Sequence, residues 1–135
     1  PRRYCRRRSR CAVALAAALA ACTADCVAAA AVPTARLKTG ADMPLIGLGC
    51  SSGVRRAHVE SALREGYRLL DTAQTQRWNY FEAEVGEAMA ASGVPREDIF
   101  LQTKIDPENL GYEPTVKSFR ESLERLNTTY VDSLL

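Results

Sequence analysis

The chain has 135 residues, of which 47% are hydrophobic and 25% charged; that size fits about one small domain, and that balance excludes wholesale disorder. Its net charge of +2 adds two unlike pieces: residues 1–32 set six arginines against the single acid Asp25, and residues 33–135 set 12 Lys and Arg against 15 Asp and Glu. The body is therefore mildly acidic, without the basic patch that a nucleic-acid-binding protein needs.

Residues 1–32 read as a targeting segment that does not fold with the body. Arg2, Arg3, Arg6, Arg7, Arg8 and Arg10 are followed by an uncharged, alanine-dominated run from Cys11 to Ala24 and then by small residues up to Pro33. A basic start, an apolar middle and a small-residue exit describe a secretory signal peptide. An organelle transit peptide, also Arg-rich and poor in acids, is the alternative; with no targeting role the protein would be cytoplasmic. The run is alanine-rich and broken at Asp25, so a stable membrane span is not expected, and none is expected in the body. Leu19-Ala20-Ala21-Cys22 also fits a lipoprotein cleavage box. The chain begins with Pro1 rather than Met, which reads as a missing natural start.

Four of the five cysteines lie in that segment and only Cys50 in the body. A lone body cysteine excludes a disulfide framework there, and no pair has zinc-ligand spacing with histidine, so no metal site is expected.

The body reads as alternating strands and helices. Arg36 to Pro44 suggests a hairpin turning at Thr39-Gly40. Leu45 to Gly49 is a short apolar strand, and Ser51-Ser52-Gly53 can cap a helix whose apolar positions are Val59, Ala62 and Leu63, closed by Gly66. Tyr67 to Leu70 leads a strand into Asp71. A helix over 82–92 carries Val85, Ala88 and Met89 on one face and ends at Gly93. Ile99 to Ile105 is a third strand. Pro114 suits a first helical position, and Val116, Phe119, Leu123 and Leu126 form an apolar stripe at helical spacing. Val131 to Leu135 begins a fourth strand.

Strands alternating with helices of this length mean a parallel sheet. Four strands and three helices are half of a (β/α)₈ barrel, a fold of ~250 residues. The expected class is therefore α/β, an incomplete (β/α)₈ (TIM) barrel with its first four strands preceded by a hairpin. A small open four-stranded α/β domain is the alternative. In a barrel the active site gathers at the C-terminal ends of the strands, which points to Gly47-Leu48-Gly49-Cys50-Ser51, to Asp71 and to Lys104. A lysine ending an apolar strand needs a partner, since burying an unpaired charge costs several kcal/mol, and Asp71 on the neighbouring strand is placed to supply it. Asp71 could equally cap a turn.

Met43-Pro44-Leu45-Ile46-Gly47-Leu48-Gly49, Gly66-Tyr67-Arg68-Leu69-Leu70-Asp71-Thr72-Ala73, Val85-Gly86, Arg96-Glu97-Asp98-Ile99-Phe100-Leu101-Gln102-Thr103-Lys104, Ser122-Leu123 and Tyr130-Val131-Asp132 together resemble the N-terminal half of an aldo-keto reductase, over almost all of residues 36–135. The resemblance implies an NADPH-dependent reductase of small aldehydes or ketones, present as a fragment that is inactive alone. The family's catalytic set is Asp, Tyr, Lys and His. Asp71 matches the aspartate and Lys104 the lysine, which in the family is paired with the aspartate and lowers the pKa of the proton-donating tyrosine. The common spacing puts that tyrosine where this chain has Gln76. The loop from Gln74 to Tyr80 is longer by a few residues, and Tyr80 stands at nearly the family's distance from Val85-Gly86, so Tyr80 takes the role; the bland alternative is that it packs beside Trp78 and Phe81. The family's histidine falls about two residues past Leu135, and His58, on the first helix, is no substitute. Gly49, Cys50, Ser51 and Asp71 are the part of the cofactor site that this half implies. Because the family's fold also serves as a channel subunit, a non-catalytic binding or regulatory protein is the competing reading.

Overall fold

A computed structural model describes residues 32–135. Apart from Val32, the targeting reading of residues 1–32 lies outside the described residues.

The described chain opens with the expected hairpin. β1 (Thr34–Arg36) pairs antiparallel with β2 (Asp42–Pro44), Arg36 facing Asp42 across it. Leu37 and Ala41 close the turn, where Gly40 takes φ +91°, a conformation that side chains rarely adopt.

The remaining elements are β3 (Gly47–Gly49), α1 (Arg56–Arg64), β4 (Leu69–Asp71), α2 (Glu82–Ser92), β5 (Phe100–Thr103), α3 (Tyr112–Arg125) and β6 (Ser133–Leu134). The four strands form one parallel sheet in sequential order, β3-β4-β5-β6. This is the α/β architecture of an incomplete (β/α)₈ barrel with a leading hairpin. No helix among the described residues is long and apolar enough to cross a membrane.

Strand alternation sorts the side chains. Leu70, Leu101 and Cys50 turn toward the helices and pack with Val59, Leu63 and Val85 in the core. Gly47, Leu69, Asp71, Phe100 and Gln102 share the opposite face through the pairs Gly47↔Leu69, Leu69↔Phe100 and Asp71↔Gln102. Gly47 stands against its neighbour: a Cβ there would sit 2.1 Å from the Leu69 side chain, which would have to shift. Gly86 on α2 is held the same way. Its Cβ would meet the Leu126 backbone at 2.6 Å, so α2 crosses the end of α3 at glycine-only distance.

Three local expectations are corrected. Ser51-Ser52-Gly53 does not cap α1. Ser52 and Gly53 both take left-handed φ (56° and 87°) and turn the chain, which moves the helix start to Arg56. There Arg55 is the N-cap, His58 Nδ1 accepts its N–H at 3.0 Å, and Glu84 from α2 accepts the Arg56 N–H at 2.9 Å. Pro114 is the third helical residue rather than the first, still among the N–H positions that lack an intrahelical partner. On α3 the most buried line is Ser118, Ser122 and Leu126, while Val116, Phe119 and Leu123 are half-buried. The Ser122 hydroxyl accepts from Gln74 at 2.9 Å.

Candidate functional site

The site candidates meet where β4 and β5 end. Asp71 is the last residue of β4 and Lys104 the first after β5. Pairing continues past both strands: Cys50 N–H donates to Asp71 O at 2.8 Å, Thr72 N–H to Gln102 O at 2.9 Å and Gln74 N–H to Lys104 O at 3.2 Å. This backbone frame puts Asp71, Gln102 and Lys104 on one side of the sheet. The Lys104 ammonium bonds the Asp71 carboxylate at Oδ1 and donates to the Thr72 carbonyl at 3.1 Å. Both side chains are about one-third exposed, 30% and 29%, so the pair is neither sealed in the core nor free in solvent.

Tyr80 comes to the same place from the β4–α2 loop. Lys104 Nζ lies 5.1 Å from the centroid of its ring, within cation–π range. The loop gets there by a short 3₁₀ turn at Gln76–Trp78 and a left-handed Asn79, φ 59°. Gln76 is exposed on that turn, as is Trp78. The turn brings Tyr80 back beside Lys104, while Trp78 stays exposed.

Three contacts hold the loop. Thr75 is buried, and its hydroxyl donates to Asp106 Oδ2 at 3.0 Å. Arg77 reaches Asp106 Oδ1 at 2.9 Å and also pairs with Glu108. The N–H of Glu108 donates to Asp106, and this bond, more than the Thr75 hydroxyl or the Arg77 charge, holds the Asp106 carboxyl below the usual carboxylate range. On the other side of Tyr80, the guanidinium of Arg55 stacks 3.4 Å from the Phe81 ring centroid and bonds Glu84 at 3.2 Å.

The residues singled out for a cofactor divide. Gly49 is exposed at the end of β3, and a Cβ there would meet nothing within 4 Å, so the backbone borders open space beside Asp71. Ser51 is half-buried next to it. Cys50 is a correction: its side chain is 1% exposed, sits in the helix-side core and points its Sγ at the Leu48 carbonyl, 3.7 Å away. Burial, with the Asp71 charge second, pushes its thiol up to about 12. Cys50 can offer a ligand only backbone. His58 is exposed and serves the α1 cap. Among the described residues no cluster of three His, Cys, Asp or Glu is gathered for a metal.

Sequence reasoning missed two polar groups. Gln102 donates to Asp71 Oδ1 at 2.8 Å; the period of two along β5, with Phe100, Gln102 and Lys104 on one face, was the available signal. Glu82, which reads as an ordinary first-turn acid, is buried and joins Thr103 at 2.6 Å to Arg125 at 2.8 Å. Nothing local in the sequence marks it.

The family profile described as "Aldo/keto reductase family" matches residues 52–135. An aldo-keto reductase of Mycolicibacterium vanbaalenii is 44% identical over 110 residues, covering 79% of this chain and 38% of that protein. Methylglyoxal reductase DkgB of Salmonella typhi is 45% identical over 96 residues, covering 69% of this chain and 35% of that protein. The crystal structure of Bombyx mori aldo-keto reductase in complex with NADP superposes with a TM-score of 0.68 at 30% identity, covering 76% of this chain and 37% of that one. The chain thus spans well under half the length of these relatives.

Proposed function

The chain belongs to the aldo/keto reductase family, and from that premise we propose that it forms the Asp–Tyr–Lys part of an NADPH-dependent reductase of small aldehydes and ketones. One observation carries the reading: a lysine ammonium bonded to a strand-end carboxylate lies 5.1 Å from the ring of a half-buried tyrosine.

The chemistry follows from those three side chains. The Tyr80 hydroxyl gives its proton to the carbonyl oxygen of the substrate. Negative charge grows on the phenol oxygen as the proton leaves, and the Lys104 ammonium beside the ring stabilises it. Asp71 holds that ammonium in place by accepting its hydrogen bond at Oδ1. NADPH, when bound, supplies the hydride taken up by the carbonyl carbon, so that hydride and proton together convert carbonyl to alcohol. The residues present fit such a group: Gly49 leaves space beside Asp71 that a side chain would narrow. Gly49, Ser51 and Asp71 would hold it here, with Cys50 contributing backbone alone. The name of the Salmonella typhi relative supports a small reactive dicarbonyl as a first substrate to test, and the NADP complex of the Bombyx mori relative supports the cofactor.

The test compares two proteins with NADPH and methylglyoxal, following loss of cofactor absorbance. A protein in which residues 33–135 are followed by the remaining barrel strands is expected to turn over. The 135-residue chain by itself is expected not to, because it spans 38% of the length of its Mycolicibacterium relative. A complete barrel that binds NADPH without consuming it, with this and other small aldehydes, would contradict the reductase and favour a binding or regulatory subunit.

A further inference from the structure

Gln102 lies between Phe100 and Lys104 on the side of β5 that faces away from the helices, and its cross-strand partner is Asp71. Its side-chain amide donates to Asp71 Oδ1 at 2.8 Å, the same oxygen that takes the Lys104 ammonium. Two donors from alternate positions of one strand therefore converge on a single carboxylate oxygen.

That convergence has a physical consequence. A carboxylate held by one flexible lysine can rotate about its terminal torsion, which is broad and roughly two-fold. A second donor fixed to the neighbouring strand removes that freedom. It also shares the charge of the oxygen, so the lysine does not have the whole of it. Lys104 has three N–H donors; one goes to Asp71 and one to the Thr72 carbonyl at 3.1 Å. With the carboxylate fixed, the direction of the third is fixed as well. An amide suits this task because it donates a hydrogen bond without titrating or adding charge.

We propose that Gln102 is a positioning residue of this site: by clamping Asp71 Oδ1 it sets where the Lys104 ammonium stands relative to Tyr80. The proposal rests on the reading of Asp71, Lys104 and Tyr80 as the reducing site. Gln102 acts through Asp71 and does not touch the substrate.

The complete barrel protein and its Gln102→Met and Gln102→Glu variants are compared by kcat, KM and their pH dependence. Methionine keeps the volume and removes the donor. It is expected to lower kcat roughly 10-fold, the scale of one hydrogen bond to a charged group, with KM changed less than about 2-fold because ground-state binding is untouched. Glutamate separates positioning from packing. Deprotonated, it repels Asp71, and the variant falls to the methionine level or below. As pH falls the two carboxyls share a proton, the neutral one donates as the amide did, and kcat recovers toward wild type. A residue that only fills space could recover in the same way but would keep wild-type kcat in Gln102→Met, so the two variants are read together. Wild-type kcat in Gln102→Met, or a Gln102→Glu variant that never recovers at lower pH, overturns the proposal. Should Gln102→Met fail to fold, the Gln102 side-chain amide resonance decides instead.

Failure of the reductase reading looks different, because the wild-type protein itself then consumes no NADPH. The Gln102 side-chain amide resonance, followed in nitrogen-15-labelled protein, then decides. It is expected to move with the titration of Asp71 and to stand still in Asp71→Asn. An amide resonance indifferent to Asp71 overturns the clamp.

Discussion

Two ion pairs lie on opposite faces of β5, one bonded to Thr103 and the other to Gln102, and they are built to different ends. Toward the helices, the Glu82 carboxylate is 1% exposed and uses both oxygens, Oε1 on the Thr103 hydroxyl and Oε2 on Arg125. Toward the open face, both donors to Asp71 land on Oδ1, and the pair with Lys104 stays about 30% exposed. A buried carboxylate with both oxygens bonded to the protein holds elements together and has little to offer a ligand. One that leaves an oxygen and part of its surface open can take part in chemistry. Charge and strand position alone do not separate the two; the degree of satisfaction does.

The sharpest way to break this comparison is to cut each pair. Glu82→Ala strands a buried hydroxyl and removes the partner of Arg125, and is expected to destabilise the fold by about 3 kcal/mol. Lys104→Met is expected to change stability by about 1 kcal/mol or less, since a pair this exposed is worth little, while lowering kcat roughly 10²-fold, the scale of a lost acid–base contribution. Denaturant unfolding and steady-state kinetics on both variants check it. Similar stability losses for the two would erase the distinction.

Next in size is Gly86→Ala. The added Cβ would meet backbone of Leu126 at 2.6 Å and of Arg125 at 2.7 Å, atoms that cannot swing aside. A loss of about 2 kcal/mol is expected from such overpacking. Because Arg125 bonds Glu82, the same variant should also loosen the helix-side pair while sparing Lys104. Unchanged stability would mean that α2 and α3 are not held at this distance.

The smallest effect is on the loop that carries Tyr80. Asp106 has a folded pKa below its ordinary value, first because the Glu108 N–H donates to it. Its contribution is therefore fully present above the unfolded value of about 3.9 and is lost as pH falls through the lower folded value. Trp78, the chain's one tryptophan, adjoins Arg77 and reports on this. Its fluorescence is expected to hold from pH 7 to about 4 and to change below that. In Asp106→Asn the change should already be present at pH 7, with no acid step. An acid step identical in both would remove Asp106 from the account.

The sequence carries some of this plainly and hides the rest for physical reasons. Helix α2 is legible to the residue at 82–92, because Val85, Ala88 and Met89 and the closing Gly93 agree. Strand order follows from the alternation of elements. The start of α1 is hidden because its cap is a histidine ring and a glutamate from another helix, neither a usual local cap. The burial of α3 is hidden in part because Ser118 and Ser122 are buried while Val116, Phe119 and Leu123 of the apolar stripe are half-buried. At the site, Asp71 and Lys104 are legible as a lysine at a strand end and the carboxylate that answers it. Gln102 and Glu82 acquire their roles only through partners 31 and 21 residues away, which no local pattern shows.

The central claim is that Tyr80 is the proton donor over Lys104, and one comparison tests it most directly. In the complete barrel protein, Tyr80→Phe and Gln76→Ala are measured side by side for NADPH-dependent reduction of methylglyoxal. The structure puts Tyr80 at Lys104 and Gln76 on an exposed turn, so Tyr80→Phe should lower kcat by roughly 10² or more and Gln76→Ala should leave it within about 2-fold. Wild-type turnover in Tyr80→Phe would contradict the account and leave the proposed reductase without its acid.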